Sequence, residues 1–212
     1  MTTARVGIID YGAGNLRSVA NAIAAVGGFA TISSDRKELA NCPRLILPGV
    51  GAFGHGMKAL AESELDKFLV EASTSGTEIL GICLGMQMLA GSSSEFGHTD
   101  GLKILPGSVA QLKPAEKGQK LRLPNVGWLG LSFSSLSSPL SERVFAGVSS
   151  TSRFYFIHSF AVAADNPATL TTSEYCEISF ASTIANDNVL GMQFHPEKSG
   201  PAGLALLKNF IS

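Results

Sequence analysis

The first half of the chain alternates between short apolar runs and longer segments whose apolar residues recur at helical spacing. The runs at residues 6–10, 30–33, 44–47 and 78–82 predict strands, and residues 16–26, 57–61 and 65–72 predict helices. The strand-like runs barely alternate between apolar and polar residues, which is typical of parallel strands covered on both faces. We therefore expect an α/β fold built on an open, mostly parallel sheet with helices on both faces.

The second half of the chain has a different pattern. Between residues 107 and 193, short strand-like runs are separated by Ser, Gly, Asn and Pro. Asn186-Asp187-Asn188 lies between two apolar runs and predicts a hairpin turn, and residues 202–210 predict a closing helix. Because no linker or internal repeat interrupts the chain, we expect a single domain over residues 1–212 with an antiparallel β excursion in its second half.

Composition supports a globular protein and excludes several functions. The 212 residues are 45% hydrophobic and 16% charged, which is enough to bury a sizeable core. The formal net charge is −1 and no dense Lys/Arg block occurs, so nucleic acid or an anionic membrane is not the expected partner. No apolar run approaches the roughly 20 residues of a membrane span.

The expected compartment is the cytoplasm. The first ten residues, MTTARVGIID, lack the basic and long apolar regions of a signal peptide. Cys42, Cys83 and Cys176 are odd in number and far apart, without CxxC spacing. This pattern argues against a disulfide framework or a structural zinc site, and it fits a reducing environment. We expect neither a metal nor a cofactor.

The stretch GICLGMQ, from Gly81 to Gln87, places Cys83 between the fourth predicted strand and a short helical segment. In open parallel sheets, active groups gather beyond the carboxyl ends of the strands. Gly81 and Gly85 flank the cysteine and allow the sharp turn of a nucleophile elbow. The following helix N-terminus favours a thiolate and leaves the Leu84 N–H free to stabilise an oxyanion. A buried structural cysteine is the alternative for this motif alone.

His195 is the candidate base for this nucleophile. It begins the motif HPEKS directly after the predicted strand at residues 189–194. Glu197 lies two residues further on, and in an extended chain these two side chains would face the same way. The carboxylate could then accept the second ring N–H and orient the imidazole. Together with the cysteine motif, HPE indicates a Cys-His-Glu triad rather than a solvated strand end.

A third motif, PGVG at residues 48–51, is expected to end the third strand. Its glycines let backbone amides approach a ligand, and the Val50 amide is a candidate second oxyanion donor. The same glycines permit a peptide reorientation, so this turn is a candidate switch. By itself PGVG would indicate an ordinary turn.

The motifs PGVGAFGHGM, GICLGMQ and HPEKS together resemble those of the triad (class I) glutamine amidotransferases. With DYGAGNLRSV, PNVGW and FYFIHSF, the chain from residue 6 to about 210 is similar to the glutaminase subunits of imidazole glycerol phosphate synthases. The resemblance implies hydrolysis of glutamine to glutamate and ammonia. It also implies a heterodimer with a (β/α)8-barrel cyclase subunit, which uses the ammonia in histidine biosynthesis.

The resemblance also implies roles for individual residues. Cys83 would be the nucleophile, His195 the base and then the acid, and Glu197 the group that orients the imidazole. The glutamine would be held by Gly51, Gln87 and the backbone of Ser159 and Phe160. The partner would be faced by Asn15, Trp128, Tyr155 and Lys198.

Three other functions remain compatible with parts of this pattern. One is the glutaminase of another pathway, such as anthranilate, guanylate or carbamoyl phosphate synthesis. HPE followed by Lys-Ser and the N-terminal DYGAGN argue against it. The others are a non-catalytic subunit of the same fold, which the intact triad disfavours, and a cysteine peptidase or esterase-like hydrolase built on a similar elbow.

Overall fold

The strands and helices follow the predicted apolar pattern closely. The structure, a computed structural model, describes residues 5–114, 121–134 and 138–212. Its strands are β1 (Arg5–Ile9), β2 (Phe29–Ser33), β3 (Arg44–Gly49), β4 (Glu78–Cys83), β5 (Ser92–Ser93), β6 (Thr99–Asp100), β7 (Ser108–Gln111), β8 (Asn125–Gly130), β9 (Ser132–Phe133), β10 (Arg153–His158), β11 (Phe160–Val162), β12 (Thr169–Tyr175), β13 (Ile178–Asn186) and β14 (Val189–Met192). Its helices are α1 (Leu16–Ala25), α2 (Arg36–Ala40), α3 (Phe53–Glu62), α4 (Leu65–Thr74), α5 (Leu84–Leu89), α6 (Pro139–Phe145) and α7 (Gly200–Ile211), with a 3₁₀ turn at Pro196–Lys198.

The central sheet has the strand order β2-β1-β3-β4-β14-β13-β12-β9. The strands from β2 to β14 in this order are parallel neighbours. From β14 onwards the neighbours are antiparallel. Side chains of β3 and β4 are almost all buried, as expected for parallel strands covered on both faces. The predicted fold class, a mostly parallel sheet with an antiparallel excursion, is confirmed.

Apolar clusters fill both faces of this sheet. One cluster includes Ile23 of α1, Phe145 of α6 and Phe210 of α7. The other includes Phe53 of α3 and Leu69 of α4, together with residues of α5. The helices therefore shield the sheet on both sides. Within the described parts of the chain, none of these helices combines the length and apolarity needed to cross a membrane.

Two small sheets complete the second half. Strands β8 and β10 pair antiparallel, with Asn125 opposite His158 and Trp128 opposite Tyr155. Strands β11, β7, β5 and β6 form the other small sheet in that order. The hairpin predicted at residues 186–188 is confirmed, because β13 and β14 are joined there and Asp187 has a φ of 46°.

The structure differs from the predicted elements most clearly at β3, α2 and α6. Strand β3 does not end before Pro48 but continues to Gly49. It pairs with β1 only as far as Ile46, so the missing Pro48 N–H removes no hydrogen bond on that side. Helices α2 and α6 were not predicted, because they are short. Asp35 caps α2, and Ser138 with Ser141 forms a capping box at the start of α6.

Candidate active site

The three predicted site motifs lie at one edge of the central sheet. Strand β4 lies between β3 and β14, and the three strands are parallel. Strand β3 ends at Gly49, β4 ends at Cys83, and β14 ends at Met192, shortly before His195. Because the carboxyl ends of parallel neighbours meet at the same edge, the strand order brings the turn, the cysteine and the histidine together.

Cys83 occupies a strained backbone conformation between β4 and α5. Its φ of 54° and ψ of −110° are unusual for a residue other than glycine, and such strain costs about 1–3 kcal/mol. Both flanking glycines are required by packing. A Cβ on Gly85 would overlap the Leu47 carbonyl, and one on Gly81 would lie 2.8 Å from the backbone nitrogen of Met86. The local geometry is therefore that of a nucleophile elbow.

His195 and Glu197 form a buried hydrogen-bonded pair. The distance from His195 Nδ1 to Glu197 Oε1 is 2.8 Å, and the two side chains are 2% and 1% exposed. The pairing was predicted from an extended chain, and that reason was wrong. Pro196 instead starts a 3₁₀ turn that folds Glu197 back beneath the ring. The carboxylate fixes the ring with Nδ1 as donor, so Nε2 is the nitrogen available for chemistry.

The cysteine favours the protonated form of this imidazole. Burial alone would lower the pKa of His195, but Cys83 and Glu197 beside the ring together raise it to about 9. Nε2 of His195 has no hydrogen-bond partner among the described residues. The cysteine sulfur lies 3.9 Å from the Ile157 carbonyl oxygen. A proton held on the imidazole beside a sulfur is the arrangement that a thiolate nucleophile requires.

The turn after β3 packs directly against the elbow. Gly49 is paired with Cys83 in the parallel ladder, and a Cβ on Gly49 would lie 2.8 Å from the Cβ of Leu84. Only glycine allows the two segments to approach this closely. Gly51 has a φ of 98°, in the region that favours glycine. Val50, between these glycines, is exposed at the wall of the site cavity.

Gln87 is held by two acceptors on its amide nitrogen. Its Nε2 donates to the Phe160 carbonyl at 2.9 Å and to Oε1 of Gln193 at 2.8 Å. Because both amide hydrogens are used, the Gln87 carbonyl oxygen is left to accept a hydrogen bond from a ligand. The predicted glutamine-binding residues Gln87 and Phe160 are therefore linked to each other as well as to the cavity.

His158, at the end of β10, is a buried neutral ring. Its Nδ1 donates to the Phe160 carbonyl at 2.9 Å, and its Nε2 accepts from Asn125 Nδ2 at 3.1 Å. Burial lowers its pKa to about 4, the nearby His195 adds to the lowering, and the Phe160 hydrogen bond opposes it. His158 is thus a structural residue that fixes the Phe160 carbonyl.

These residues surround a cavity of about 480 Å³. The predicted residues that line it are Val50, Gly51, Cys83, Leu84, Gln87, Ser159, Phe160, His195 and Lys198. Glu197 lies behind His195, as a group that orients the ring would. The structure thus brings together every residue predicted to react with or hold the substrate.

Sequence reasoning missed Glu95, which also lines the cavity. Its Oε2 accepts a hydrogen bond from the backbone N–H of Phe53 at 2.6 Å, at the start of α3. This bond ties the loop after β5 to the segment that follows PGVG. No motif marks Glu95 in the sequence, and the only available signal is its position in a Ser- and Gly-rich loop. It is the single carboxylate among the described residues of the cavity wall.

The residues predicted to face a partner lie around the same edge. Trp128 is 47% exposed, and its ring contacts that of Tyr155 edge-on with centroids 6.0 Å apart. Lys198 Nζ lies 5.8 Å from the centre of the Tyr155 ring. We call these three residues the Trp128 patch. Asn15 lies elsewhere on this edge, at the start of α1 beyond the end of β1.

A metal site is not evident in this region. Among residues 5–114, 121–134 and 138–212, no group of three or more His, Cys, Asp or Glu side chains is arranged to hold a metal ion. All three cysteines are free.

The sequence of the chain also matches a known protein family. The family model for class-I glutamine amidotransferases matches residues 7–212. The chain belongs to this family.

Curated relatives identify a narrower group of similar proteins. The imidazole glycerol phosphate synthase subunit HisH of Geobacillus sp. (strain WCH70) is 42% identical over 208 residues, covering 98% of this chain and 96% of that protein. The subunit of the same name from Symbiobacterium thermophilum is 43% identical over 209 residues, covering 98% and 93%. That from Nitrosomonas europaea is 39% identical and covers 97% of each chain.

Solved structures support the fold. A crystal structure of a glutamine amidotransferase superposes with a TM-score of 0.70 at 19% identity, covering 94% of each chain. PurLQS from Thermotoga maritima gives a TM-score of 0.69 at 18% identity, covering 99% of this chain and 98% of that one. At these identities the likeness concerns the fold alone.

Proposed function

We propose that the chain is the glutaminase subunit of imidazole glycerol phosphate synthase. It hydrolyses L-glutamine to glutamate and ammonia, and a (β/α)8-barrel cyclase subunit receives the ammonia. The cyclase then makes imidazole glycerol phosphate and aminoimidazole carboxamide ribotide in histidine biosynthesis. The observation that carries the proposal is Cys83 on a strained elbow beside the buried His195–Glu197 pair. Relatives named as the HisH subunit of imidazole glycerol phosphate synthase, 38–43% identical over nearly the whole chain, support it.

The first chemical step is attack on the amide carbon of glutamine. His195 takes the thiol proton, and the sulfur of Cys83 adds to the carbon, so that the amide oxygen gains negative charge. The backbone N–H groups of Leu84 and Val50 stabilise this oxyanion. Loss of one such donor typically raises the barrier by about 2.7–4 kcal/mol.

The second step releases ammonia and restores the enzyme. The His195 imidazolium gives its proton to the departing nitrogen. The carbon–nitrogen bond then breaks, ammonia leaves, and the glutamyl group remains as a thioester on Cys83. The neutral imidazole then removes a proton from water, which attacks the thioester carbon and frees glutamate. Glu197 holds Nδ1 throughout, so that Nε2 always faces the reacting atoms.

The cavity offers complementary groups for a free amino acid. The Gln87 carbonyl oxygen, Gly51 and the backbone of Ser159 and Phe160 supply hydrogen bonds to the substrate. Glu95 supplies a carboxylate suited to an α-ammonium group. A cavity of about 480 Å³ is ample for a single amino acid and its waters.

The Trp128 patch, with Asn15, is the proposed face for the barrel subunit. Lys198 belongs both to this patch and to the cavity wall, so partner binding can act on the site. Ammonia made without a waiting acceptor would be lost, and activity of the chain alone should therefore be weak. The glycines of residues 48–51 allow the peptide reorientation that would complete the oxyanion hole.

Two further expectations belong to this proposal. The family match over residues 7–212 supports a single domain. Three free cysteines are compatible with a reducing cytoplasm.

The test is glutamate release by the wild-type complex and by a Cys83→Ala complex. Cys83→Ala should reduce turnover to background while the two subunits still co-elute, because the side chain lies in the cavity rather than in the patch. Retained glutamate release by the variant would refute the role of Cys83. Loss of co-elution would point to misfolding, which circular dichroism of the variant chain would reveal.

A further inference from the structure

Gln193 is a buried polar residue that the reaction steps above do not use. It lies between β14 and His195, and its side chain is completely buried. Its backbone N–H donates to the Ser182 carbonyl at 2.9 Å, which fixes the residue to β13. Its amide nitrogen Nε2 lies 3.7 Å from the sulfur of Cys83, within the range of a hydrogen bond to sulfur.

The orientation of the Gln193 amide follows from its neighbours. His158 donates to the Phe160 carbonyl, and Gln87 Nε2 donates to the same carbonyl and to Oε1 of Gln193. Since Oε1 accepts from Gln87, the Nε2 of Gln193 is the end directed at Cys83. A chain of hydrogen bonds therefore runs from the glutamine-binding strand through Gln87 to the nucleophile.

Besides the charged His195 ring, the polar groups near the sulfur do not duplicate this donor. The hydroxyl of Tyr11 donates its one proton to the Pro48 carbonyl at 3.1 Å. The Ile157 carbonyl near the sulfur can only accept. Gln193 is therefore a neutral donor to the sulfur, in addition to the charged His195 ring.

We infer that Gln193 stabilises the Cys83 thiolate by donating its amide N–H, and that Gln87 positions it for this task. The inference rests on the proposed role of Cys83 as nucleophile. A hydrogen bond to an ionised sulfur is stronger than one to the neutral thiol, so the donor favours the reactive form. Because Gln87 also faces the substrate, the same contact links glutamine binding to the state of the nucleophile.

Several ionisable groups surround the pair and bear on any pH measurement. They are His195 and Glu197 after β14, Tyr11 after β1, His158 on β10, and Glu95 and Lys198 on the cavity wall. Substitution of Gln193 leaves all of them in place. A change in pH dependence in a Gln193 variant therefore reports on the lost amide.

The test is the pH dependence of Cys83 alkylation by iodoacetamide, followed by peptide mass spectrometry on the full chain. Gln193→Met removes the donor at similar length, and Gln193→Asn keeps an amide that is one methylene too short. In both variants the pH of half-maximal alkylation should rise by about one unit, and kcat/KM of the complex should fall about tenfold. The exposed Cys176 in the same sample is the internal reference, whose profile should not move.

Thr183→Val is the matched control for a buried hydrogen bond lost from the same sheet. It removes the 2.8 Å bond between Thr171 and Thr183 without touching the sulfur, so its Cys83 profile should match wild type. Folded Gln193 variants with an unchanged Cys83 profile would overturn the inference, even if the wild-type complex hydrolyses glutamine. A wild-type complex that releases no glutamate would overturn the proposed function instead, and the alkylation shift would still be measurable.

Discussion

At the scale of single residues, two histidines of similar burial are held in opposite protonation states. His195 has its pKa raised to about 9 by Cys83 and Glu197 against the effect of burial, whereas burial lowers the pKa of His158 to about 4. The difference lies in their partners. His195 has a carboxylate and a thiol, while His158 has an amide and a carbonyl. One histidine can therefore handle protons, and the other fixes the backbone.

The depressed pKa of His158 predicts an acid-sensitive contribution to stability. Its folded pKa of about 4 lies below the ordinary value of 6.5, so the unfolded chain binds the extra proton first. The contribution is complete above pH 6.5 and is lost as the pH falls towards 4. His158→Gln can keep both hydrogen bonds without titrating. The free energy of unfolding of wild type relative to this variant should fall by about 3 kcal/mol across this range.

Urea denaturation at several pH values would measure this difference. The carboxylates contribute equally to the pH dependence of unfolding in wild type and in His158→Gln. The difference between the two proteins therefore reports on His158 alone. Parallel stability curves for wild type and His158→Gln between pH 7 and 4 would contradict a buried neutral His158.

At the scale of elements, the two-stranded β8–β10 sheet presents the Trp128 patch. The Trp128 and Tyr155 rings are opposite each other across the strands, and Lys198 extends over the Tyr155 ring from the turn after His195. The backbone N–H of His195 also donates to the Tyr155 carbonyl at 2.9 Å. A partner that binds this sheet would therefore contact the backbone that supports the proposed catalytic histidine.

Trp128→Ala should weaken binding of the barrel subunit by about 30-fold or more. Exposed tryptophans at the centre of an interface commonly contribute 2 kcal/mol or more. Phe29→Ala is the matched control, because Phe29 is 58% exposed on the outer strand β2, away from the patch. Isothermal titration would compare the two variants. Equal affinities for both would show that the patch does not form the interface.

The sequence predicted the parallel strands and the hairpin because their apolar runs are continuous and their turn residues are distinctive. It did not predict α2 or α6, whose five and seven residues leave too short a pattern. At the site, Cys83 and His195 were found because each follows a strand in a recognisable motif. Glu95 and Gln193 were missed because their importance comes from contacts across the fold, to Phe53 and to Cys83 respectively.

At the scale of the whole molecule, the residues proposed for reaction, substrate binding and partner contact share one edge of the sheet. The carboxyl ends of β3, β4 and β14 carry the proposed oxyanion turn, nucleophile and base. The Trp128 patch borders the same cavity through Lys198. This arrangement predicts an enzyme whose activity depends on its partner, since the surface that would bind the partner adjoins the groups that react.

The most direct test of this account is glutamate release with and without the barrel cyclase subunit and its ribotide substrate. Equal concentrations of the chain would be assayed alone, with the barrel subunit, and with the barrel subunit plus ribotide. The account predicts weak release by the chain alone and strong activation when the partner is loaded. The same rate under all three conditions, or no release under any of them, would contradict it.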